Sequence, residues 1–280
     1  MSGDLATAES FRAARLGVVQ MEAAPGEEQA NVAQAQAYVE QLAAQGIDLI
    51  VLPELFITGY DLSYDLSALA DPPKGPHTQL LSQWARQYEI IIVTALLAKT
   101  HDGDLLDWAV VVDETGTITG ASKQYLWGKE SQKFITEPGP AALAPTRIGM
   151  VGAAICYEAG FPEVVRDLAL RGAEIIGVPA AFGRERLYAW DLLTRSRALE
   201  NGCFLAAAGL TGTNPSGVKF AAHSRLVSTK GEVLAGLGEN PGVASASVDL
   251  GDISRSRGAI PYLKDLTSPG HYAPAGYGER

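Results

Sequence analysis

Three residues of this 280-residue chain have the types that thiol-based hydrolysis requires: Cys156, Glu54 and Lys123. Cys156 follows the apolar run GAAI and stands a few residues before Phe161-Pro162-Glu163, which reads as a helix start. Sites gather at strand ends in α/β folds. A thiol beside a helix N-terminus also feels a positive partial charge that favours thiolate. Taken alone, Cys156 reads somewhat better as an inert buried thiol than as a nucleophile, since free cysteine is commonly buried. Glu54 follows an apolar strand in VLPELFITGY. Partial desolvation there would raise its pKa and suit it to general-base work, and the bland alternative is a surface carboxylate. Lys123, in SKQYLWGKE, sits at the end of a strand before an aromatic-rich loop. It reads either as a solvated lysine or as a donor for a developing oxyanion. Glu130, seven residues on, reads by itself as a surface acid. The three gain weight together, because a thiol needs a base to deliver thiolate and a donor to hold the oxyanion.

The elements that must position these residues alternate short apolar runs with amphipathic segments. Residues 15–21, 48–53 and 90–98 read as strands. Residues 27–44 read as a helix with Val32, Ala35, Val39 and Leu42 on one face, and 78–88 as a helix with Leu80, Leu81 and Trp84 inward. Residues 105–113 and 117–124 read as a meander joined by a Glu-Thr-Gly turn. A strand over 148–156 is predicted to carry Cys156 at its end. A helix from Pro162 to about Leu170, a strand over 174–179, a helix over 187–201 ended by Gly202, and a strand over 203–210 follow. Asn214–Ser216 marks a turn, and a late hairpin surrounds Leu226 and Val233. Interleaved helices and buried strands in both halves point to an α/β class of layered sheets covered by helices. The organisation read is a flexible N-terminal arm over 1–14, a single domain over 15–267 and a C-terminal tail over 268–280.

Composition narrows the partners. With 47% hydrophobic residues the chain can bury a sizeable core. A formal net charge of −10 argues against nucleic acid, whose phosphates need clustered Lys and Arg. No apolar run has the length of a membrane span, and the acidic start lacks the apolar core of a signal peptide, so a cytoplasmic protein is expected. Two cysteines, Cys156 and Cys203, make no disulfide framework, and scattered histidines suggest no zinc site. Cys203 reads as a buried structural thiol.

The chain resembles the nitrilase, or carbon–nitrogen hydrolase, superfamily. LPELFITGY resembles its glutamate motif, and SKQYLWGKE followed by FITEPG its lysine motif. GAAICYEAGFPEVVRDLALRGAEIIGVPAAF resembles its cysteine motif, and RSRALENGCFLAAAGLTG and HSRLVSTKGEVLA the segments after it. Order and spacing agree from about Leu16 to Tyr262. The resemblance implies a four-layer αββα sandwich with a Glu–Lys–Cys triad. Cys156 would be the nucleophile, Glu54 the general base and later acid, and Lys123 the oxyanion donor together with the backbone N–H of Tyr157. Glu130 would help position substrate and triad. It further implies a two-step reaction through a cysteine thioester, no cofactor or metal, and a homodimer or higher homo-oligomer. The regions 161–170 and 187–201, with the tail, are the interface candidates. Two departures stand out. Lys123-Gln124-Tyr125-Leu126 lacks the histidine of Lys-x-His-Leu, and Tyr157-Glu158 replaces Tyr-Asp. The cysteine segment, with RSRGAIPYLKD, is most similar to bacterial amidases of small aliphatic or amino acid amides. Tyr60, Trp127, Ala181 and Phe182, with Tyr157, are expected to narrow the pocket, or else to be ordinary core. A nitrilase or N-carbamoyl amino acid hydrolase is the alternative, and a catalytically silent binding protein on the same fold is the alternative of a different class.

Overall fold

The computed structural model describes residues 12–267 as twelve strands in two six-stranded sheets flanked by helices. The first sheet has the order β12-β1-β2-β3-β4-β5 and the second β11-β10-β9-β8-β7-β6. Its strands are β1 Ala13–Gln20, β2 Leu49–Glu54, β3 Ile91–Lys99, β4 Leu105–Val112, β5 Ile118–Ser122, β6 Leu143–Thr146, β7 Gly149–Ala153, β8 Ile175–Ala180, β9 Phe204–Gly209, β10 Arg225–Val227, β11 Val233–Gly236 and β12 Gly242–Asp249. The helices are α1 Glu28–Ala43, α2 Pro76–Tyr88, α3 Pro162–Leu170, α4 Leu187–Asn201, α5 Gly251–Ala259 and α6 Tyr262–Leu266. Both sheets share one plan: three parallel strands at the centre (β1-β2-β3 and β7-β8-β9), flanked by antiparallel neighbours.

Side-chain alternation explains why the two sheets face each other. In β2, Leu49 and Val51 pack toward the second sheet, while Ile50 and Leu52 pack under α1 and α2. In β3, Ile91 and Val93 face one way and Ile92 the other. Strands buried on both faces read as continuous apolar runs, which is why DLIVLP and IIIVTALLA are legible as strands. On α1, Ala35, Val39 and Leu42 are buried as the spacing predicts, and Asn31 joins them, bonded to Ala24 and Ile57. The layer order is helix, sheet, sheet, helix, with α3 and α4 covering the second sheet through Val165, Leu168, Trp190 and Ala198.

Four differences from the sequence reading are informative. The strand expected over 148–156 is only Gly149–Ala153, so Cys156 lies beyond the sheet rather than at the end of a strand. β6, for which the sequence reading names no strand, is a four-residue edge strand containing Pro145, tolerable only at an edge. β12 was also unforeseen, because GVASASVD is rich in Ser, Ala and Gly. Pairing with β1 along eight residues supplies what its intrinsic preference does not. α5 and α6 lie in a segment to which the sequence reading assigned no element. β1 begins at Ala13, inside the expected arm; the rest of that arm to residue 11, and the tail 268–280, lie outside the described residues. Among the described residues no helix is long and apolar enough to cross a membrane.

The sheets approach closely at Gly177 of β8, where an added Cβ would fall 2.6 Å from Val93 Cγ1 and 3.3 Å from Val51 Cγ2. Gly177→Ala should therefore destabilise the fold by about 1–3 kcal/mol, the usual cost of overpacking a tight core. Urea unfolding measures it; an unchanged midpoint would show that the layers can part freely there.

Candidate active site

Glu54 and Lys123 sit where a strand breaks off, and Cys156 and Glu130 in 3-10 turns beyond the sheets. In β2, Pro53 has no N–H to donate, and the pairing with β3 slips between Val51 and Glu54. Thr94 Oγ1 donates to Pro53 O at 2.9 Å across this bulge. Glu54 is thereby turned toward the second sheet, where its Oε2 accepts the Ala181 N–H at 2.6 Å just past β8. Leu55, at φ 49°, then reverses the chain. Lys123 is the first residue after β5. The hairpin is set by Asp113, whose Oδ1 accepts the N–H groups of Thr115 and Thr117, with Gly116 left-handed at φ 82°. Counting outward from that turn places Lys123 opposite Asp107 of β4, and Lys123 N–H donates to Asp107 O at 2.8 Å.

Lys123 Nζ stands among three carboxylates. It donates to Glu54 Oε1 at 2.6 Å, Asp107 Oδ2 at 2.9 Å and Glu130 Oε1 at 3.0 Å. All four residues are at most 1% exposed. Burial pulls the ammonium toward losing its proton, but Asp107, Glu54 and Glu130 outweigh that and hold it well above the ordinary lysine range. Glu130 is therefore not the surface acid that its sequence context suggests. It is the third residue of a 3-10 turn (Gly128–Gln132), accepts the Trp127 N–H at 2.6 Å and accepts from the Tyr60 hydroxyl at 2.6 Å. Burial, and then the Glu54 charge, push the Tyr60 phenol up, so it stays a donor.

Cys156 begins a second 3-10 turn (Cys156–Gly160) at φ 47°, a left-handed conformation that costs a non-glycine residue of order 1–3 kcal/mol. Such strained turns present a nucleophile above a sheet. The helix start at Pro162 does not make it a thiolate. Burial, and then Glu54, push the Cys156 thiol well above the ordinary range, against a smaller pull from Lys123. Cys203 is also free and fully buried, and its thiol is pushed up to about 12.

The two departures from the family pattern lie on one contact. Glu158, 3% exposed, accepts the Gln124 N–H on Oε1 and the Ile155 N–H on Oε2, both at 2.7 Å. It thus ties the residue after Lys123 to the residue before Cys156. Tyr125, in the place of the missing histidine, stacks on Phe161 at 3.8 Å between ring centroids. The lysine loop and the cysteine loop are therefore clamped twice.

Above this cluster is a cavity of about 450 Å³, within the range of small-molecule sites. Cys156 and Glu130 reach it, and so do Tyr60, Trp127, Tyr157, Ala181 and Phe182, every pocket residue expected from the sequence. Glu54 and Lys123 lie beneath its floor with their side chains closed to solvent. Residues not anticipated also contribute. Asp61 ties two wall loops by accepting from Ser63 and Ser216. Arg186 lies over the Trp127 ring at 4.8 Å. Asp107 had a signal, a carboxylate in an apolar strand at hairpin register with Lys123. Glu158 had none beyond its place after Cys156.

Comparison with known proteins agrees with this geometry. Residues 15–257 match the family model described as carbon-nitrogen hydrolase, and the chain belongs to that family. It is similar to the 2-oxoglutaramate amidase of Bacillus subtilis (strain 168), 30% identical over 253 residues that cover 90% of this chain and 96% of that protein. It is 28% identical over 248 residues to an omega-amidase of Homo sapiens, covering 85% and 90% of the two chains. Among solved structures, a mutant of the amidase from Nesterenkonia sp. AN1 superposes with TM-score 0.79 at 27% identity, over 92% of this chain and 95% of that one. That structure shows covalent addition of the acetamide moiety of fluoroacetamide at its active-site cysteine. The αββα sandwich is thus that of the nitrilase superfamily.

A raised thiol pKa means that the proton stays on through neutral pH. Titrated by ultraviolet thiolate absorbance, the signal removed by Cys156→Ala should appear only above about pH 8.5, where an unperturbed thiol ionises. A step below neutrality would instead reveal a preformed thiolate.

Proposed function

We propose that this carbon–nitrogen hydrolase is a thiol amidase that cleaves small aliphatic amides to a carboxylic acid and ammonia through a thioester on Cys156. The observation that carries this is the dry Lys123–Glu54 pair, 2.6 Å apart, directly beneath a cavity whose wall includes Cys156. In the proposed chemistry Glu54 takes the thiol proton as sulfur attacks the amide carbon. The oxyanion forms against the Lys123 ammonium and the Tyr157 N–H. As the tetrahedral species collapses, Glu54 returns the proton to the departing nitrogen and ammonia leaves. Water then attacks the thioester, giving its proton to Glu54. The acid departs as that proton returns to sulfur. Glu130 acts as a positioning residue, since it holds Lys123, Tyr60 and the Trp127 loop together. The scheme uses no cofactor or metal. The covalent cysteine adduct of the Nesterenkonia relative supports the nucleophile.

A finer reading is favoured by the cavity wall, where an amide with a distal carboxylate would fit. Arg186 and Lys129 both line the wall. The ion-pair partner of Arg186, Glu185, is 4.0 Å away with a side chain 94% exposed, so the pairing is weak. Asp61, the acid nearby, is already occupied by Ser63 and Ser216. 2-Oxoglutaramate, named for the Bacillus relative, is a short amide of this kind.

Ammonia release from propionamide, 2-oxoglutaramate, propionitrile and an N-carbamoyl amino acid, measured side by side, tests both readings. Turnover of an amide that Cys156→Ala abolishes is expected. Release from the nitrile alone, or from the carbamoyl compound alone, would sink the amidase reading, and no release from a folded protein would favour a silent binding protein. Arg186→Ala should raise KM for 2-oxoglutaramate about tenfold, the equivalent of about 1.4 kcal/mol, while propionamide changes by less than about twofold; equal effects would remove the anionic preference.

We also propose a homodimer formed through α3 and α4. Leu170, Tyr188, Leu192 and Leu199 are exposed apolar side chains on these helices, of the kind an interface buries. Light scattering should give twice the 29.5 kDa chain mass, and Leu192→Asp with Leu199→Asp should halve it. A monomeric unmodified protein would rule the dimer out.

A further inference from the structure

The carboxylates around Lys123 outnumber its single charge. A carboxylate oxygen of each of Glu54, Asp107 and Glu130 lies within 4.8 Å of the others, and none of the three reaches solvent. Three anions about one ammonium would leave a closed pocket with two uncompensated negative charges, beside a cysteine and a tyrosine that are also acidic. Like charges confined at that spacing do not all ionise, so a proton is retained by one of them.

Hydrogen bonding decides which one. Glu130 accepts from three donors: Lys123 Nζ, the Tyr60 hydroxyl and the Trp127 N–H. Glu54 accepts from two, Lys123 Nζ and the Ala181 N–H, one on each oxygen. Asp107 accepts from Lys123 Nζ alone, on Oδ2. Its Oδ1 is buried with no hydrogen-bond partner. An ionised carboxyl group can only accept, so an ionised Asp107 would leave a charged oxygen dry and bare. A protonated Asp107 can instead donate, with the Glu54 carboxylate as its hydrogen-bonding neighbour, and still keep an oxygen as the acceptor for Lys123.

We infer that Asp107 stands in the folded protein as a neutral carboxylic acid, a positioning residue that holds the Lys123 ammonium without adding a third negative charge. The groups facing it act in opposed directions, and those that push the carboxyl up prevail. Burial pushes the Asp107 carboxyl up most strongly. Lys123 pulls it back, and the charge of Glu54 and a hydrogen bond with it push it up again. Glu130, Cys156 and Tyr60 complete the surroundings of the ammonium. The consequence is a division of labour among three similar side chains. Asp107 and Glu130 grip Lys123 from two sides, and Glu54 is left as the neighbour able to receive a proton.

Infrared difference spectroscopy of the full chain tests the protonation directly, independently of any substrate. Near neutral pH the unmodified protein should show the carbonyl stretch of a protonated carboxyl group that Asp107→Asn removes. Absence of an Asp107-dependent band would overturn the inference. A kinetic comparison rests on the amidase reading and asks about function. Asp107→Asn keeps the neutral shape and an oxygen for Lys123, and should lower kcat by less than about tenfold, with KM within about twofold. Asp107→Leu offers no acceptor and should lower kcat by more than about a hundredfold. If Asp107→Asn falls as far as Asp107→Leu, the carboxyl acts as an anion and the inference fails. Should Asp107→Leu not fold, Asp107→Ala provides the same loss of the acceptor with less bulk. Because the infrared band needs no turnover, failure of the amidase reading and failure of this inference are distinguishable.

Discussion

A lysine ammonium that water cannot reach must be surrounded by groups that replace water, and in this protein that requirement organises everything around it. Leaving Lys123 without its carboxylates would strand a charge at a cost of several kcal/mol, so its three partners hold one another in place through it. Those partners come from three separate segments: Glu54 from the bulged end of β2, Asp107 from β4 and Glu130 from the 3-10 turn after the hairpin. The ammonium is thus the knot at which the first sheet's strand ends and its following loop are tied. The second sheet is tied to the same knot through the Ala181 N–H on Glu54.

The double clamp of Glu158 and Tyr125 extends the knot to the cysteine. Cys156 occupies a left-handed turn that its own side chain does not favour, so something else must hold it there. The two backbone N–H groups on Glu158 fix the turn against the lysine loop, and the Tyr125–Phe161 stack closes the contact from outside. Positioning of this kind lets Lys123, fixed beneath the floor, and Cys156, facing the cavity, keep a constant relation although they belong to different sheets. The pair of departures from the family pattern is therefore coherent: both changed residues serve one interface.

Most of the architecture was legible because its strands are buried on both faces. Runs such as DLIVLP and EIIGVP contain nothing that competes with the sheet. β12 was not legible, since its small residues carry little preference of their own and its strand exists by pairing with β1. The end of β7 was overextended for a related reason. GAAIC is apolar throughout, and an apolar run does not reveal where the chain leaves a sheet to make a strained turn. The site followed the same division. Cys156, Glu54 and Lys123 stand out by type and motif, and Cys156 lines the same cavity as Tyr60, Trp127, Ala181 and Phe182. The burial of Glu130, the partnership of Asp107 with Lys123 and the bridging by Glu158 depend on register and tertiary approach, which local sequence does not encode. Asp107 is the instructive case, because the hairpin turn at Asp113–Thr117 was read correctly and counting back from it would have reached Asp107.

The neutral thiol and the charged lysine together constrain the chemistry more than either alone. A preformed thiolate would stand near Glu54 and Glu130 with one ammonium to share among them. Burial disfavours that arrangement, and the Cys156 thiol keeps its proton. Attack on a substrate must then coincide with loss of the proton, and under the proposed chemistry Glu54 is the acceptor. Lys123 does not serve as that base, because the same carboxylates that bury it hold its proton firmly. What it offers is a fixed positive charge, whose value rises as negative charge leaves the sulfur and gathers on the substrate oxygen in a site without water to screen it. Charge in the cluster is in this way moved rather than created. The carboxylates that stabilise the lysine before reaction set the balance against which the oxyanion is stabilised during it.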